Sequence, residues 1–193
     1  MKRISLIGLL AISTILLSFK TLQPVSWSLD KNHGKLGFTI THLMVSEIEG
    51  SFMKFDAKIT APKADFSDAV VEMTAESTSI NTDNEKRDEH LRSADFFDVA
   101  KYPLVTFKST SFKKTGATTY IVKGDLTMHG ITKSIALDVR CIVGADPVSK
   151  QPIAGFKISG KVKRSDFGIG PSFTAAMLGD DVTITANAEF RKQ

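Results

Sequence analysis

The residues best suited to chemistry lie in one stretch, Arg87–Pro103, where His90 is surrounded by charged side chains. An imidazole beside a carboxylate can transfer protons near neutral pH, so this histidine could form an acid–base set with Asp88, Arg87 or Asp98. The sequence contains no nucleophile elbow, phosphate loop or dinucleotide-binding fingerprint. We therefore expect a protein that is not an enzyme, with a hydrolase- or isomerase-like activity of His90 as the alternative.

Other candidates for ligand or metal chemistry are few. His33, His42 and His129 lack the close spacing of a helical zinc site, so we predict neither a metal nor a cofactor. His42 lies on the apolar phase of its strand, which is typical of a hydrogen-bonded interior histidine, although it could also meet the headgroup of a ligand. The single cysteine, Cys141, cannot form an internal disulfide and also lies on an apolar phase, so we expect it to be buried and unreactive.

A short helix is predicted in the stretch that carries the charged residues. Thr82 and Glu85 have the spacing of a capping box, and Pro103 marks the far boundary of the segment. The aromatic pair Phe96–Phe97 gives the segment an apolar side. We therefore predict a short helix and plug over about residues 84–98, lying across one end of a sheet.

The rest of the chain alternates apolar and polar residues with a period of two, which is the pattern of half-buried strands. No helix recurs between these runs, so the sheet is predicted to be antiparallel. Such a sheet can bury its apolar face and remove its edges by closing into a barrel. We predict an all-β fold, an elongated antiparallel eight-stranded up-and-down barrel, with a sandwich as the alternative. The alternating runs are residues 35–42, 48–52, 55–59, 69–76, 105–108, 120–128, 134–141, 156–163 and 182–190.

The interior of an eight-stranded barrel is just wide enough to be filled by side chains or to hold one small ligand. The inward phase mixes small residues such as Gly124 and Gly160 with large apolar ones, which fits a filled, tapered barrel as well as a long apolar tunnel. Both interpretations stay open. The polar mouth of a tunnel is predicted to include His42, His90 and Arg92. Its apolar lining is predicted to be Phe38, Ile40, Phe52, Val71, Met73, Phe107, Leu126, Leu137, Phe156, Ile158 and Ile184.

Residues 1–23 are predicted to be a secretory signal peptide, and residues 24–193 the barrel domain. Lys2 and Arg3 precede an uncharged apolar run, Ile4–Phe19, that is short for a membrane span of about 20 residues. We therefore expect a periplasmic or secreted protein, with an uncleaved N-terminal anchor as the alternative. Three of the 25 basic residues and none of the 21 acidic residues lie in the signal segment, which leaves a net charge of +1 in the domain and no basic stripe for nucleic acid.

Three sets of segments resemble sequence signatures of the YceI-like family and together span nearly all of residues 25–190. The first set is Asp30–His33, Gly37–His42 and Gly50–Phe52; the second is Arg87–Leu91, Asp95–Asp98 and Tyr102–Pro103; the third is Gly124–Lys133, Arg164–Gly168 and Gly179–Val182. The resemblance implies an elongated lipocalin-like barrel that is exported to the periplasm and is related to stress responses. It also implies a pore that binds a polyprenyl phosphate or an isoprenoid quinone, and it implies no catalytic residues.

These expectations favour a lipid-binding carrier over two alternatives, the His90 enzyme and a ligand-free structural stress protein. Each buried CH₂ group contributes about 0.8 kcal/mol, so a five-carbon isoprene unit gives about 4 kcal/mol before ordering costs. A few such units therefore suffice for binding. The expected partners are an isoprenoid lipid and, transiently, a membrane. Nucleic acid is not expected as a partner, and a homodimer is left open.

Overall fold

The alternating runs form strands in the computed structural model, which describes residues 23–193. The predicted signal peptide over residues 1–23 lies outside the described residues except for its last position. Within the described part of the chain, the one α-helix, α1, covers Glu85–Arg92, and no helix is long and apolar enough to cross a membrane. The strands are β1 (Val25–His42), β2 (Ser46–Phe52), β3 (Phe55–Ala61), β4 (Val70–Glu76), β5 (Ile80–Asn81), β6 (Leu104–Lys114), β7 (Thr119–Met128), β8 (Ile131–Ala145), β9 (Pro152–Lys163) and β10 (Leu178–Lys192).

The ten strands occupy eight strand positions in a closed antiparallel barrel, which confirms the predicted fold. Neighbouring positions pair in the order β10-β9-β8-β7-β6-β4-β3-β1, and β1 pairs back onto β10 to close the barrel. β2 and β3 lie end to end beside β1, and they are interrupted at Met53–Lys54. β5 continues β4 in the same way and pairs with β2. Closure gives every strand position two neighbours, so the apolar face of the sheet becomes the interior of the barrel.

Burial alternates along the strands as the sequence pattern predicts. In β7, Tyr120, Val122 and Leu126 are buried, whereas Lys123 between them is exposed. Alternation in β8 likewise points Cys141 inward, where it is buried as predicted. Burial raises the pKa of its thiol to about 11. A thiol with such a pKa carries little reactive thiolate at neutral pH.

The helix begins later than the predicted capping box would place it. Asn84 is the N-cap residue, and its side-chain oxygen accepts a hydrogen bond from the Arg87 amide at 3.0 Å. Thr82 is buried instead beside Asp88, whose carboxylate accepts hydrogen bonds from the Thr82 amide (2.9 Å) and hydroxyl (2.6 Å). The predicted Thr82–Glu85 capping pair is therefore wrong, because the Thr82 hydroxyl is already committed to Asp88.

The helix and the turn that follows it cover one end of the barrel, which we call the helix end. Phe96 is buried and packs against Phe173, with ring centroids 5.2 Å apart. Phe97 packs edge-on against Phe52 of β2 at 5.8 Å, and its amide donates to the Leu91 carbonyl at 3.0 Å. The segment thus folds back on itself as the predicted helix and plug, in which the regular helix stops at Arg92.

The opposite end of the barrel, which we call the closed end, is filled by aromatic side chains. Phe66, from the loop between β3 and β4, is 1% exposed and packs against Trp27 at 5.1 Å and Phe156 at 5.3 Å. Phe190 packs against Phe156 at 5.4 Å. These rings pack against one another inside the closed end, and the large open space lies nearer the helix.

Candidate functional site

An apolar cavity of about 560 Å³ lies inside the barrel beneath α1. Its size falls within the range of about 300–1,000 Å³ that is usual for small-molecule sites. Inward positions of β1, β2, β4, β7 and β10 supply much of its wall, because strand alternation points every second side chain to the interior. Six of the predicted lining residues contribute to it: Phe38, Ile40, Phe52, Met73, Leu126 and Ile184.

A second, smaller cavity of about 100 Å³ lies deeper in the barrel, and its wall is apolar. Four side chains line both cavities and so form the partition between them: Leu36, Met73, Leu126 and Ile184. The other predicted lining residues belong to the deeper cavity: Val71, Phe107, Leu137, Phe156 and Ile158. All eleven apolar residues therefore line one of the two cavities, although whether they contact a ligand stays a prediction.

The interior thus combines the two interpretations that the sequence left open. Side chains fill the closed end, as in a tapered barrel, and the helix end is hollow. A continuous tunnel along the whole barrel is not present, because the four partition residues and the aromatic cluster around Phe66 interrupt it. A bound chain that reached the deeper cavity would have to move the partition side chains.

The hairpin between β1 and β2 and the segment before β10 form the rim of the main cavity. Leu43 and Met177 line this cavity, and the Leu43 amide donates to the Met177 carbonyl at 3.1 Å. Met44 and Val45 are 73% and 85% exposed. Leu43 and Met44 have φ angles of 50° and 60°, a left-handed conformation that costs a non-glycine residue roughly 1–3 kcal/mol. The hairpin tip, Leu43–Val45, therefore holds apolar side chains toward solvent in a strained turn.

Two of the three residues predicted for the polar mouth line the main cavity. His42 is half-buried, and its ring forms no hydrogen bond with the described residues, in contrast to the hydrogen-bonded interior histidine that the sequence favoured. His90 is exposed on one side, where its Nε2 lies 3.2 Å from Asp95 Oδ2, and its ring packs edge-on against Phe96 at 5.0 Å. Both imidazoles thus reach the wall of the cavity.

Arg92 does not belong to the cavity lining, which corrects its predicted place in the mouth. Its Nε donates to the Thr78 carbonyl at 3.0 Å, and its Nη2 donates to the Ile80 carbonyl at 3.2 Å. Its Nη1 also lies 3.7 Å from Glu85 Oε1. Arg92 therefore ties the last turn of α1 to Thr78 and to the first residue of β5, and it does not line the cavity.

Arg87, one turn earlier on α1, lines the cavity in its place. Its Nε donates to the Thr82 hydroxyl at 2.7 Å, and its Nη2 donates to the Thr82 carbonyl at 2.7 Å. The Thr82 hydroxyl in turn donates to Asp88, which is 3% exposed. Thr82 therefore bridges a buried carboxylate and the guanidinium at the cavity wall.

Arg164 is a second arginine at the cavity wall that the sequence analysis did not predict as a site residue. It is 6% exposed and holds together the segment that closes this side of the barrel. The sequence pattern could have indicated this position. Phe156, Ile158 and Val162 point inward at every second residue, and Arg164 is the next residue in that alternation, just beyond the apolar run. Its five N–H groups donate to the carbonyls of Gly179 (3.0 Å), Ile169 (3.0 Å), Gly170 (2.7 Å), Phe173 (2.6 Å) and Leu178 (3.0 Å).

The acid–base set considered for His90 is not assembled as the sequence suggested. The carboxylate of Asp88 and the guanidinium of Arg87 both bond to Thr82, and neither bonds to His90. The partner of His90 is Asp95, whose side chain is largely exposed. An exposed imidazole–carboxylate pair at 3.2 Å can exchange protons with water.

Among residues 23–193, one group of side chains could offer ligand atoms to a metal ion. Asp30, His33 and Glu189 have candidate atoms within 4.8 Å of one another. Arg191 already occupies this group: its Nε lies 2.9 Å from Asp30, and its Nη2 lies 3.4 Å from Glu189. A cation would have to displace the guanidinium, so we assign the group to an ion-pair network, which also includes Asp146 at 3.0 Å from Arg191.

A closed antiparallel barrel, filled at one end and hollow at the other, with a helix across the hollow end, is characteristic of the lipocalin-like class. The chain belongs to the YceI-like family, whose domain model matches residues 27–190. Protein YceI of Escherichia coli O157:H7 is 36% identical over 190 residues, which cover 97% of this chain and 98% of the relative.

Solved structures agree with this assignment. The YCEI protein of Campylobacter jejuni superposes with a TM-score of 0.73 at 33% identity and covers 86% of this chain and 96% of its own. A domain from Saccharophagus degradans, described as a polyisoprenoid-binding domain, superposes with a TM-score of 0.62 at 15% identity and covers 88% of this chain and 99% of its own. The second likeness is one of fold.

Proposed function

We propose that the protein is a carrier that holds an isoprenoid lipid, with its chain in the main cavity and its headgroup near His42 and His90. The observation that carries this proposal is the apolar cavity of about 560 Å³ under α1, which polar side chains reach only near the helix end. Membership of the YceI-like family and the polyisoprenoid binding described for the Saccharophagus degradans domain support the choice of lipid.

The chemistry of the cavity wall fits a branched hydrocarbon chain. Isoprenoid methyl groups and double bonds find van der Waals partners in aromatic and aliphatic side chains such as Phe38, Phe52 and Ile184. Burying one isoprene unit contributes about 4 kcal/mol before ordering costs, so the main cavity can retain a chain of a few units. The chain of such a lipid has no polar groups, so the polar side chains of the wall are available to its headgroup.

The direct experiment is to purify the protein from its own host, extract it with organic solvent and identify the lipid by mass spectrometry. Recovery of an isoprenoid in a fixed molar ratio supports the proposal. Recovery of no lipid from correctly folded protein contradicts it and favours the ligand-free structural protein.

A matched pair of variants tests whether the cavity is the binding site. Ile184 points into the barrel and lines both cavities, whereas its neighbour Thr185 points outward from the same strand. Ile184→Trp is expected to fill the space and lower lipid occupancy at least fivefold, while Thr185→Trp leaves occupancy unchanged. Native mass spectrometry of both proteins measures the ratio, and equal occupancy would count against the cavity.

We also propose that the protein acts outside the cytoplasm, after removal of residues 1–23, and that the hairpin tip contacts the membrane that supplies the lipid. Met44 and Val45 stand exposed at the rim of the cavity. An apolar rim lets a chain pass between bilayer and cavity without crossing water. Cell fractionation with N-terminal mass spectrometry tests the export, and cytoplasmic protein with an intact N-terminus would contradict it.

Vesicle flotation tests the membrane contact. Met44→Ser with Val45→Ser is expected to reduce the fraction of protein that floats with vesicles and to slow lipid uptake. The control is Val148→Ser, which removes an apolar residue that is equally exposed but lies in the loop between β8 and β9, at the closed end. Equal flotation of all three proteins would rule out the hairpin tip as the contact.

Binding without catalysis is part of the same proposal. The His90–Asp95 pair is the one observation that favours an enzyme. His90→Ala is expected to leave any turnover of candidate substrates in host extracts unchanged. Loss of a measurable turnover in this variant, with stability and lipid retention intact, would reverse the order of the two functions.

A further inference from the structure

Methionine side chains in residues 23–193 fall into two groups that differ in exposure. Met44, Met53 and Met177 are 73%, 65% and 47% exposed. Met128 is 9% exposed, and Met73 lies inside the barrel, where it lines both cavities. An exposed thioether is open to oxidants dissolved in water, whereas a buried thioether is shielded by its neighbours. The first group is therefore accessible to such reagents.

Two of the exposed methionines lie at the rim of the main cavity. Met44 is in the hairpin tip between β1 and β2, and Met177 lines the cavity just before β10. A hydrogen bond from the Leu43 amide to the Met177 carbonyl, 3.1 Å long, joins the two segments. In the pairing of β1 with β10, His42 lies opposite Leu178. Both methionines thus belong to the same part of the rim, although they are far apart in the sequence.

The third exposed methionine, Met53, lies away from this rim. It is in the interruption between β2 and β3 and lines neither cavity. Its amide donates to the Ser79 carbonyl at 3.0 Å, and the Ser51 hydroxyl donates to its sulfur at 3.5 Å. The length of β2 separates it from the hairpin tip by roughly 20 Å, at about 3.3 Å per residue. Met53 therefore matches the rim methionines in exposure but not in position.

The apolar character of the rim can be changed chemically at its methionines. Four apolar side chains are exposed there: Leu43, Met44, Val45 and Met177. A peroxide does not react with the hydrocarbon side chains of leucine and valine, but it converts a thioether to a sulfoxide, which is polar. A polar side chain loses hydrogen bonds to water when it enters an apolar environment, so a sulfoxide at the rim opposes contact with lipid.

We propose that Met44 and Met177 form an oxidation-sensitive site, at which conversion to methionine sulfoxide slows the exchange of lipid between membrane and cavity. This inference rests on the proposed carrier function and its membrane contact. The thioether sulfur attacks one oxygen of hydrogen peroxide, the O–O bond breaks, and that oxygen stays on the sulfur. The sulfur loses two electrons to the peroxide, and the other oxygen takes up a proton and leaves as water. A methionine sulfoxide reductase reverses the change.

Peptide mass spectrometry of the whole protein, after graded exposure to hydrogen peroxide, identifies the oxidised residues. Met44 and Met177 are expected to be oxidised about tenfold faster than Met128, because water reaches their side chains. Met53 is expected to be oxidised at a rate similar to that of Met44. Oxidation of Met44 and Met177 no faster than that of Met128 would overturn the assignment of the site.

Lipid uptake from phosphatidylglycerol vesicles measures the consequence of oxidation. One series of vesicles carries a polyprenyl phosphate, and another carries an isoprenoid quinone. Peroxide is expected to slow uptake by the wild-type protein about threefold or more, and methionine sulfoxide reductase is expected to restore the rate. The quantity compared is the ratio of the rates after and before oxidation, so an effect of a substitution on the unoxidised protein cancels.

Matched variants assign the effect to the rim. Met44→Leu with Met177→Leu keeps apolar side chains of similar volume that peroxide does not oxidise. Leucine is chosen because a β-branched residue would be strained at position 44, where φ is 60°. The rate ratio of this double variant is expected to stay close to that of untreated protein. The control is Met53→Leu, which removes an equally accessible thioether outside the rim and is expected to be slowed as much as wild type.

The outcomes separate this inference from the function on which it depends. Equal slowing of all three proteins would overturn the role of the rim, and so would an unchanged rate in oxidised wild type. Both results leave the carrier function intact, because the unoxidised protein takes up lipid. If unoxidised wild type takes up neither lipid, the carrier function fails and this inference fails with it. Circular dichroism follows the fold, and unfolding of the oxidised protein would also overturn the inference.

Discussion

At the scale of residues, three arginines near the helix end differ in role because their surroundings differ. Arg92 anchors the end of α1 to two backbone carbonyls, and Arg164 binds five, three in the segment before β10 and two at the start of β10. Of the three, only Arg87 both lines the cavity and keeps a guanidinium nitrogen, Nη1, that forms no hydrogen bond with the described residues. A guanidinium is always charged, so its contribution depends on which acceptors the fold brings within reach.

A fourth arginine, Arg191, makes a pH-dependent contribution at the opposite end of the barrel. Arg191 and His33 lower the pKa of Asp30 to about 2, and backbone amides with Arg191 lower the pKa of Asp146 to about 2. A carboxylate with a depressed pKa in the folded state stabilises the fold above its unfolded pKa of about 4, and this contribution is lost as the pH falls toward 2.

We therefore expect Arg191→Met to unfold at a lower urea concentration than wild type at pH 7, with a difference that narrows between pH 4 and pH 2. Urea titrations at several pH values measure it. Arg140→Met is the control, because Arg140 is exposed on β8 and belongs to no ion pair of the described residues. A difference that stays constant with pH would show that Arg191 acts by packing alone.

Cys141 provides a probe of the closed barrel. Burial raises the pKa of its thiol to about 11, so the native protein is expected to react with a maleimide at pH 8 about 100-fold more slowly than the urea-unfolded protein. Intact-mass spectrometry follows the labelling. Rapid labelling of the native protein would mean that β8 opens on the time scale of the reaction.

At the scale of elements, the partition between the two cavities determines how long a chain the barrel can take. Met73 on β4 is its most adaptable member, because an unbranched thioether side chain can change rotamer at little cost. The deeper cavity beyond it holds only about 100 Å³, so a chain that enters must displace these side chains.

Met73→Ala is expected to join the two cavities and shift binding toward longer isoprenoids, at a cost of about 2 kcal/mol in stability. Native mass spectrometry with an equimolar mixture of chain lengths measures the preference. Thr74→Ala, on the outward face of the same strand, is the control. An unchanged length preference would mean that the bound chain stops above the partition.

At the scale of the whole molecule, a ligand inside a closed barrel stabilises the barrel because only the folded state binds it. At a free-ligand concentration 100 times the Kd, this linkage contributes about 2.7 kcal/mol. Removal of lipid is therefore expected to lower the Tm by roughly 5–10 °C for a chain of this length, and addition of lipid is expected to restore it. Calorimetry of the extracted and reloaded protein tests this, with Ile184→Trp as a control that should show little change.

The sequence alone determined the barrel and its inward face. Strand alternation depends on a period of two that any single segment displays, so residues such as Phe38, Leu126 and Phe156 could be placed inside without knowledge of their neighbours. Tertiary structure decided where the interior is hollow and which charges face it. Those features depend on how the rings of Trp27 and Phe66 pack at one end, and on how Thr82 and Asp88 fix the rotation of α1 at the other. Arg87 therefore faces the cavity and Arg92 does not, because these hydrogen bonds, together with the packing of Phe97 on the distant Phe52, orient the helix that carries both.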